Sequence, residues 1–257
     1  MASTEQLLRK ILEQEKIESL IHVGGHKGEE VDFYNSYGLS RVIYFEPIKQ
    51  FYLEIIDNIN SKNLSNFEAF NIALGSENKS EEIYVADGDS SGSSSLLEPR
   101  PSDITFSKKE MIEIKTYASL GISNIDLAVI DTQGYELEVL KGMGEQIKKF
   151  KYLVVEFSLF EGYINQVVFK ELEDYLNTRS FTRVKTIRKL SHKKYNDSNY
   201  GDAIYLNNNL LKETNRKMYV LKNKIIDSKL YFFVLILFDL TFHLKKIKQI
   251  IKKIIRR

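Results

Sequence analysis

Residues 20–28, which read LIHVGGHKG, decide the fold of this chain because they place a glycine-rich turn directly after a short apolar run. The nine residues that follow have a helical pattern, and Gly38 stands where a helix would end. This order predicts a strand, a tight turn and a helix. Glycines in such a turn let the backbone approach a ligand closely, and the helix N-terminus beyond them favours an anionic group.

The same alternation of strands and helices continues along the chain after this stretch. Further strands are predicted at residues 41–45, 67–72, 125–131, 152–158, 181–186 and 203–206. Helical patterns are found at residues 48–60, 136–142 and 167–177. Strands that alternate with helices predict an α/β fold, in which a mostly parallel sheet carries helices on both faces.

One long segment, residues 75–124, interrupts the alternation as an insertion and contains a serine-rich run at residues 90–95. Two interpretations of this run stay open. A flexible linker is the ordinary interpretation of such a composition. A hydroxyl-rich lid beside a ligand is the functional one, because long loops in compact domains often cover active sites.

The composition is that of a globular protein with a substantial core, since 43% of the 257 residues are apolar and 28% are charged. The chain contains no cysteine, which excludes disulfides, thiolate nucleophiles and Cys-ligated metal centres. Its first residues lack the apolar centre of a signal peptide, and no apolar run reaches the length of a membrane span. We expect a cytoplasmic protein with an N-terminal helix (1–19), one α/β domain (20–209) and a C-terminal helical tail (210–257).

Charge is distributed unevenly along the chain. Residues 210–257 hold 13 Lys or Arg against three Asp or Glu, whereas residues 1–209 hold 24 against 32. The acidic body argues against a nucleic-acid binder. Between Leu244 and Ile255, apolar residues recur every three or four positions among lysines, which predicts a basic amphipathic helix. We expect this helix to lie on an anionic membrane surface; packing on the acidic domain or on a dimer partner is the alternative.

The residues after each strand are the ones placed for ligand binding, because ligands of open parallel sheets bind beyond the carboxyl ends of the strands. The dinucleotide fingerprint needs glycine where the chain has Val23, so a nicotinamide-dependent oxidoreductase is the weaker alternative. The spacing of Gly24 and Gly28 fits a nucleoside-carboxylate cofactor such as S-adenosylmethionine better. Glu46 stands 18 residues after Gly28, where an acidic side chain can accept hydrogen bonds from ribose hydroxyls. Asn71, after the third strand, either contacts adenine or ribose or simply ends the strand.

Residues 17–208 contain a series of short motifs, which are, in chain order, residues 21–30 (IHVGGHKGEE), 45–47 (FEP), 71–74 (NIAL), 93–97 (SSSLL), 130–136 (IDTQGYE) with 140–142 (LKG), and 155–157 (VEF). Together, these motifs resemble those of the FkbM family of methyltransferases. The block Asp-x-Gln-Gly-x-Glu, with the Leu-Lys-Gly that follows it, is the most specific of them. The resemblance implies a Rossmann-like class I methyltransferase fold with a seven-stranded sheet, S-adenosylmethionine as the cofactor, and methylation of a hydroxyl on a sugar or natural product.

One position departs from the family pattern, whose first motif commonly begins with aspartate where this chain has His22. That aspartate often supports the turn or the ammonium group of the cofactor, so the contact must be supplied differently here. His22 itself lies within a strand and is predicted to be a hydrogen-bonded structural histidine. The histidines and carboxylates of the chain show no metal-ligand spacing, so no metal site is predicted.

The motifs and the resemblance together predict three groups of site residues. The cofactor-binding residues are Gly24, Gly25, His26, Gly28, Glu46, Asn71, Ala73 and Asp131. The acceptor-binding residues are Ser94, Ser95, Gln133 and Glu136. The catalytic candidates are His26, Asp131 and Glu156, because methylation of a hydroxyl gains from a base that removes its proton.

Several of these residues have an ordinary alternative role. The pKa range of histidine suits His26 to catalysis at neutral pH, but its side chain could instead hydrogen-bond within the turn. Asp131 could anchor the cofactor or the substrate instead of acting as the base. Glu136 could cap the helix that follows it.

We therefore expect an S-adenosylmethionine-dependent O-methyltransferase that acts on a sugar hydroxyl of a surface glycan or its precursor. Two other functions stay open, namely a cofactor-binding or scaffold protein without catalysis, and the oxidoreductase. The expected partners are a carbohydrate acceptor and an anionic membrane, met peripherally at its inner face, and no nucleic acid. A homo-oligomer is compatible with the sequence.

Overall fold

The structure is a computed structural model, and it describes residues 4–189 and 200–210 of the chain. Strands and helices alternate along these residues. The strands are β1 (Ser19–Val23), β2 (Arg41–Phe45), β3 (Phe67–Phe70), β4 (Ala73–Leu74), β5 (Lys79–Val85), β6 (Lys108–Lys115), β7 (Leu127–Ile130), β8 (Tyr152–Ser158), β9 (Phe181–Lys189) and β10 (Tyr200–Asn207). The α-helices are α1 (Thr4–Gln14), α2 (Val31–Asn35), α3 (Lys49–Ser61), α4 (Glu136–Gly142) and α5 (Phe169–Thr178).

Seven of these strands form one sheet, in the order β3-β2-β1-β7-β8-β10-β9. The first five strands in this order are parallel, whereas β10 runs antiparallel to both of its neighbours. The register places Ile21 of β1 between Ile43 of β2 and Ala128 of β7. The carboxyl ends of the central strands therefore meet at one edge of the sheet. The predicted mostly parallel, seven-stranded α/β fold is confirmed.

Helices cover both faces of this sheet. Alternate residues of its central strands point to opposite faces, so each face contributes side chains to a buried core. On one face, Ile21, Val23 and Ile43 belong to a buried core that includes residues of α4 and α5. On the other face, Leu20 and Val42 belong to a second core with residues of α1, α2 and α3. Both cores consist almost entirely of side chains with little or no exposure.

The insertion forms a small sheet of its own, in the order β4-β6-β5. The serine-rich run lies between β5 and β6, where residues Gly88–Ser93 form a 3-10 helix and Ser95 pairs with Tyr84. Ser91 and Ser95 are buried. The flexible-linker interpretation of this run is therefore wrong, because its hydroxyls are packed against the rest of the domain.

Some predicted bounds differ from those in the structure. The third strand ends at Phe70, because the next residue leaves the sheet to hold the turn after β2. The helix predicted over residues 29–37 is reduced to the five residues of α2. The last two strands are longer than predicted. One of them, β9, is an edge strand in which charged residues alternate with apolar ones.

One prediction concerns residues outside the described part of the chain. It is the basic amphipathic helix of the tail, which stays a prediction. Among residues 4–189 and 200–210, no helix combines the length and the apolar character needed to cross a membrane.

Candidate active site

The turn after β1 brings its backbone into close contact with the end of β7. Gly24 has a φ of +83°, and a Cβ atom at this position would lie 1.8 Å from the carbonyl oxygen of Asp131. A Cβ atom at Gly25 would lie 2.7 Å from the Cδ1 atom of Tyr44. The contact at Gly24 involves main-chain atoms and a left-handed conformation, so only glycine fits there without a shift of the backbone.

Glu46 follows β2 and is almost fully buried at the side of this turn. Its two carboxylate oxygens accept hydrogen bonds from the backbone N–H groups of His26 (2.9 Å) and Ile48 (2.8 Å). Burial raises the pKa of Glu46 to about 7, against these two hydrogen bonds, which favour the ionised form. Each carboxylate oxygen keeps a lone pair that a further donor can use.

Asn71 supports this turn and does not line a cavity. Its Nδ2 atom donates to the carbonyl oxygens of Glu46 (2.9 Å) and Pro47 (2.8 Å). Both amide hydrogens are therefore used to hold the chain after β2. This amide helps to set the position of the Glu46 backbone, and the predicted contact between Asn71 and the cofactor stays a prediction.

His26 links the glycine turn to the serine-rich run. Its Nδ1 atom lies 2.8 Å from Oε1 of Glu29, its Nε2 atom lies 2.9 Å from Oγ of Ser91, and its ring lies 4.5 Å from that of Phe51. The backbone of His26 is left-handed, with a φ of 43°. Both ring nitrogens are thus engaged in hydrogen bonds that join two segments, and this arrangement does not support the predicted role of His26 as the catalytic base.

A first cavity, of about 70 Å³, lies between the glycine turn and the insertion. Of the predicted cofactor-binding residues, those that line it are Gly24, His26, Glu46, Ala73 and Asp131. Gly25 and Gly28 lie behind the cavity, where they pack against residues of β2, α2 and α3. Ser91, Gly92, Ser94 and Leu96 of the insertion form the opposite wall.

The turn between β7 and α4 is held together by the carboxylate of Glu136, which is only 5% exposed. Its Oε1 atom accepts hydrogen bonds from the backbone N–H groups of Thr132 (2.9 Å) and Gly134 (3.0 Å) and from the hydroxyl of Thr132. Burial raises the pKa of Glu136 to about 7. Glu136 thus holds the turn through its Oε1 atom, and it also lines the second cavity described below, so its predicted contact with the acceptor stays a prediction.

A second cavity, of about 540 Å³, adjoins the first. The two cavities share Gly92, Asp131 and Gln133 as lining residues. Glu156, near the end of β8, lines only the second of the two cavities. The second cavity is also lined by a set of aromatic and polar side chains, namely Arg100, Phe106, Phe160, Tyr163, Gln166 and Tyr200. Asp131 and Gln133 thus belong to a wall that the two cavities share.

Two loop segments, residues 98–100 and 161–164, meet beside the second cavity and supply part of its lining, and we call them the roof. Backbone hydrogen bonds join them, from Ile164 to the carbonyl of Glu98 (2.8 Å) and from Arg100 to the carbonyl of Gly162 (3.1 Å). The side chains of Arg100 and Glu161 form an ion pair across the same junction. The roof therefore connects the insertion to the loop after β8.

Tyr163 of the roof is tied to the serine-rich run. Its hydroxyl donates to the carbonyl oxygen of Ser93 at 2.7 Å. Burial raises the pKa of Tyr163, and the negative charges of Glu156, Glu136 and Asp131 raise it further. The hydroxyl therefore stays protonated and remains a donor at neutral pH.

The predicted acceptor contacts of two serines do not agree with their positions. Ser95 is 1% exposed, and its hydroxyl donates to the carbonyl oxygen of Gln133 at 2.7 Å. The hydroxyl of Ser94 donates to the carbonyl oxygen of Ser91 (2.7 Å) and accepts from the backbone of Ala86 (3.0 Å), and Ser94 lines the first cavity. Both serines hold the insertion in place, because these hydrogen bonds use their hydroxyl groups.

Sequence reasoning missed the roof and the role of Ser91. The only signal for Ser91 was its membership of the serine-rich run, which does not tell which hydroxyl meets His26. No sequence motif marks the roof residues Arg100, Gly162 and Tyr163, because they reach the site through a contact between two loops.

His22 is buried away from both cavities. Its Nδ1 atom lies 3.1 Å from the hydroxyl of Tyr34, and its ring stacks on that of Tyr44 at 5.5 Å. These contacts agree with the structural role predicted for it. Within the part of the chain that the structure describes, no group of three or more histidines or acidic residues is arranged to hold a metal ion.

Comparison with protein families gives one match: the family model described as the methyltransferase FkbM domain matches residues 22–183. This range covers more than half of the chain. No curated protein matches the chain.

The chain is similar to several solved structures. The methyltransferase FkbM from Methylobacillus flagellatus KT is 15% identical, with a TM-score of 0.49 over 74% of this chain and 43% of that one. The magnesium protoporphyrin IX methyltransferase ChlM from Synechocystis PCC 6803, solved with bound SAM, is 9% identical, with a TM-score of 0.48 over 79% of each chain. Sp1610 from Streptococcus pneumoniae, solved with S-adenosyl-L-methionine, is 10% identical, with a TM-score of 0.46 over 82% of this chain and 77% of that one. This chain spans less than half the length of the Methylobacillus protein.

Proposed function

Because the chain belongs to the FkbM methyltransferase family, which uses S-adenosylmethionine, we propose that it methylates a hydroxyl group of a carbohydrate. The acceptor is a sugar of a surface glycan or of its precursor. The first cavity holds the methyl donor and the second cavity holds the acceptor. Asp131 is the base.

The observation that carries this proposal is the wall shared by the two cavities. A methyl group must pass directly from the donor to the acceptor, so their reacting atoms must meet where the two binding sites join. Asp131 and Gln133 line both cavities at that junction. A carboxylate is thereby placed beside the acceptor oxygen, where a base is needed.

The first cavity suits S-adenosylmethionine in its lining and in its backbone. Gly24 lines the cavity without a side chain, and Glu46 presents a buried carboxylate with lone pairs available to ribose hydroxyls. Phe51 and Leu96 supply apolar lining. When bound, S-adenosylmethionine supplies an electrophilic methyl group on a sulfonium cation.

In the reaction, the protein holds the acceptor oxygen in line with the methyl group of the donor and accepts the proton of that oxygen. Orientation of the two reactants accounts for most of the acceleration that such a displacement needs. A sugar hydroxyl is a weak nucleophile, and its proton is transferred to the Asp131 carboxylate as the new bond to oxygen forms.

The composition of the second cavity supports a carbohydrate acceptor. Phe106, Phe160 and Tyr163 offer aromatic surfaces on which the C–H face of a sugar ring can pack. Gln166 and Glu156 lie among them and supply polar groups for hydroxyls. The mixture of flat apolar surface and hydrogen-bonding groups matches the two kinds of surface that a sugar ring presents.

The proposal is tested by calorimetry of the purified protein with S-adenosylmethionine, S-adenosylhomocysteine and NADH, followed by an acceptor screen. We expect both S-adenosyl compounds to bind and NADH not to bind. A panel of mono- and oligosaccharides is then incubated with the donor, and formation of S-adenosylhomocysteine is measured. Binding of NADH alone contradicts methyl transfer, and turnover with amines but not with sugars contradicts the carbohydrate acceptor.

Replacing Glu46 with Ala is expected to weaken S-adenosylmethionine binding about 10- to 100-fold, because hydrogen bonds between a buried carboxylate and the ribose hydroxyls are lost. In the native protein the affinity is expected to rise between pH 6 and pH 8. The pKa of Glu46 is about 7, and the ionised carboxylate accepts both ribose hydrogen bonds whereas the protonated acid does not. Calorimetry at several pH values measures both effects.

The matched control for this experiment is Glu46→Gln, which keeps the shape of the side chain and cannot ionise. Its affinity is expected to be the same at pH 6 and pH 8. An unaltered affinity in Glu46→Ala would remove the assignment of Glu46 to the ribose.

The basic tail leads us to propose that the protein also binds anionic membranes peripherally. The full chain is expected to sediment with vesicles that contain phosphatidylglycerol and to stay in solution with purely zwitterionic vesicles, because the tail carries 13 Lys or Arg. Deletion of residues 210–257 is expected to abolish sedimentation. Equal sedimentation of the shortened chain would show that the tail is not the membrane contact.

A further inference from the structure

The side-chain amide of Gln133 lies between two carboxylates. Its Nε2 atom is 2.7 Å from Oδ1 of Asp131 and 2.8 Å from Oε2 of Glu156. Ionised carboxylates only accept hydrogen bonds, so the atom between them must be the donor nitrogen and not the amide oxygen. Both hydrogens of the amide are therefore given to the two carboxylates, and its oxygen points away from them.

The backbone around this amide is held in a specific conformation. Gln133 is left-handed, with a φ of 52°, and its carbonyl oxygen accepts the hydrogen bond from the buried hydroxyl of Ser95. The next residue, Gly134, has a φ of +101°, and a Cβ atom there would lie 3.2 Å from the side chain of Gln166. A left-handed conformation costs energy for a residue with a side chain, so the surrounding contacts must stabilise it. The amide is thus placed by the fold of the turn.

We propose that Gln133 is a positioning residue, which holds Asp131 and Glu156 side by side on the wall shared by the two cavities. This inference rests on the proposed function, in which Asp131 takes the proton of the acceptor. Two carboxylates at such proximity repel each other, and a shared donor offsets that repulsion. Without it, Asp131 is expected to turn away from the junction of the cavities.

The alternative is that Gln133 only fills space in the turn. The two roles predict different results when the negative charge of Glu156 is removed. A space-filling residue would be equally important whether or not position 156 is charged. A residue that offsets repulsion loses most of its importance when that charge is removed.

The first test is a double-mutant cycle on thermal unfolding of the full chain. Gln133→Met keeps the length of the side chain without a donor and is expected to lower the unfolding midpoint by about 3 °C or more. In the Glu156→Gln background the same substitution is expected to lower it by about 1 °C or less, because the repulsion is gone. Gln146→Met, at a distant 3-10 helix, is the control for the chemical change.

The second test uses a property that a purely structural role would not alter. Asp131 lines the cavity of the donor, so its charge favours cationic S-adenosylmethionine over the neutral S-adenosylhomocysteine. Gln133→Met is expected to reduce this preference about threefold or more, while the affinity for S-adenosylhomocysteine changes less than about twofold. Adding Glu156→Gln is expected to restore the preference.

Two results would overturn the proposal: an equal effect of Gln133→Met in both backgrounds on unfolding, or an unchanged preference between the two S-adenosyl compounds. Failure of the proposed function gives a different result. In that case the native protein binds neither compound or transfers no methyl group, while the unfolding cycle still reports whether Gln133 and Glu156 are coupled.

Discussion

Replacing Asp131 with Asn is expected to lower kcat for methyl transfer about 10²- to 10⁴-fold, the usual contribution of a general base. The substitution keeps the size of the side chain and an oxygen that can accept from Gln133, so the geometry of the shared wall is retained. It removes the group that accepts the proton of the acceptor hydroxyl. The rate of S-adenosylhomocysteine formation measures the effect, once the screen has found an acceptor.

Binding measurements separate this chemical effect from a loss of structure. S-adenosylhomocysteine, which is neutral at sulfur, is expected to bind to Asp131→Asn with an affinity close to that of the native protein. Asp174→Asn makes the same chemical change on the exposed surface of α5 and is expected to leave the rate unaltered. If Asp131→Asn retains full activity while Glu156→Gln loses it, the base is Glu156.

Replacing Gly24 with Ala is expected to lower the free energy of unfolding by roughly 3 kcal/mol and to abolish donor binding. The new Cβ atom would lie 1.8 Å from the carbonyl oxygen of Asp131. Neither partner is a flexible side chain, so β1 and β7 must move apart where they meet the first cavity. Urea unfolding and calorimetry with S-adenosylhomocysteine measure the two effects.

Gly38→Ala is the matched control, because Gly38 also has a positive φ, of +62°, but a Cβ atom there would have no neighbour within 4 Å. This substitution is expected to cost only the conformational penalty, about 1–2 kcal/mol, with no effect on donor binding. If the two variants are equally stable, the close contact between Gly24 and Asp131 does not exist in solution.

The fold could be predicted from the sequence because its signals are local. Residues 20–28 contain a strand and its turn within nine positions, and the apolar pattern of each strand repeats with a fixed period. The strands whose bounds differ from the predicted bounds are those whose ends depend on contacts with other segments. Phe70 ends β3 because Asn71 leaves the sheet and donates a hydrogen bond to the carbonyl oxygen of Pro47, which lies 24 residues away in sequence in the turn after β2.

The candidate site was less predictable, because side-chain roles depend on partners that are distant in sequence. Strand ends correctly marked where Glu46 and Asp131 would line a cavity, since the sheet topology alone brings them together. His26, by contrast, meets Ser91 across 65 positions, and Ser95 meets Gln133 across 38. Nothing in the local pattern tells which serine of the run makes which contact.

The roof has a consequence for how this protein can diversify. It consists of two loop segments, residues 98–100 and 161–164, that belong to neither sheet and contribute nothing to the lining of the first cavity. Substitutions or length changes there would reshape the second cavity while the seven-stranded sheet and the first cavity stay as they are. Under the proposed function, changes confined to the roof would alter the preference for the acceptor and leave the binding of the methyl donor unaltered.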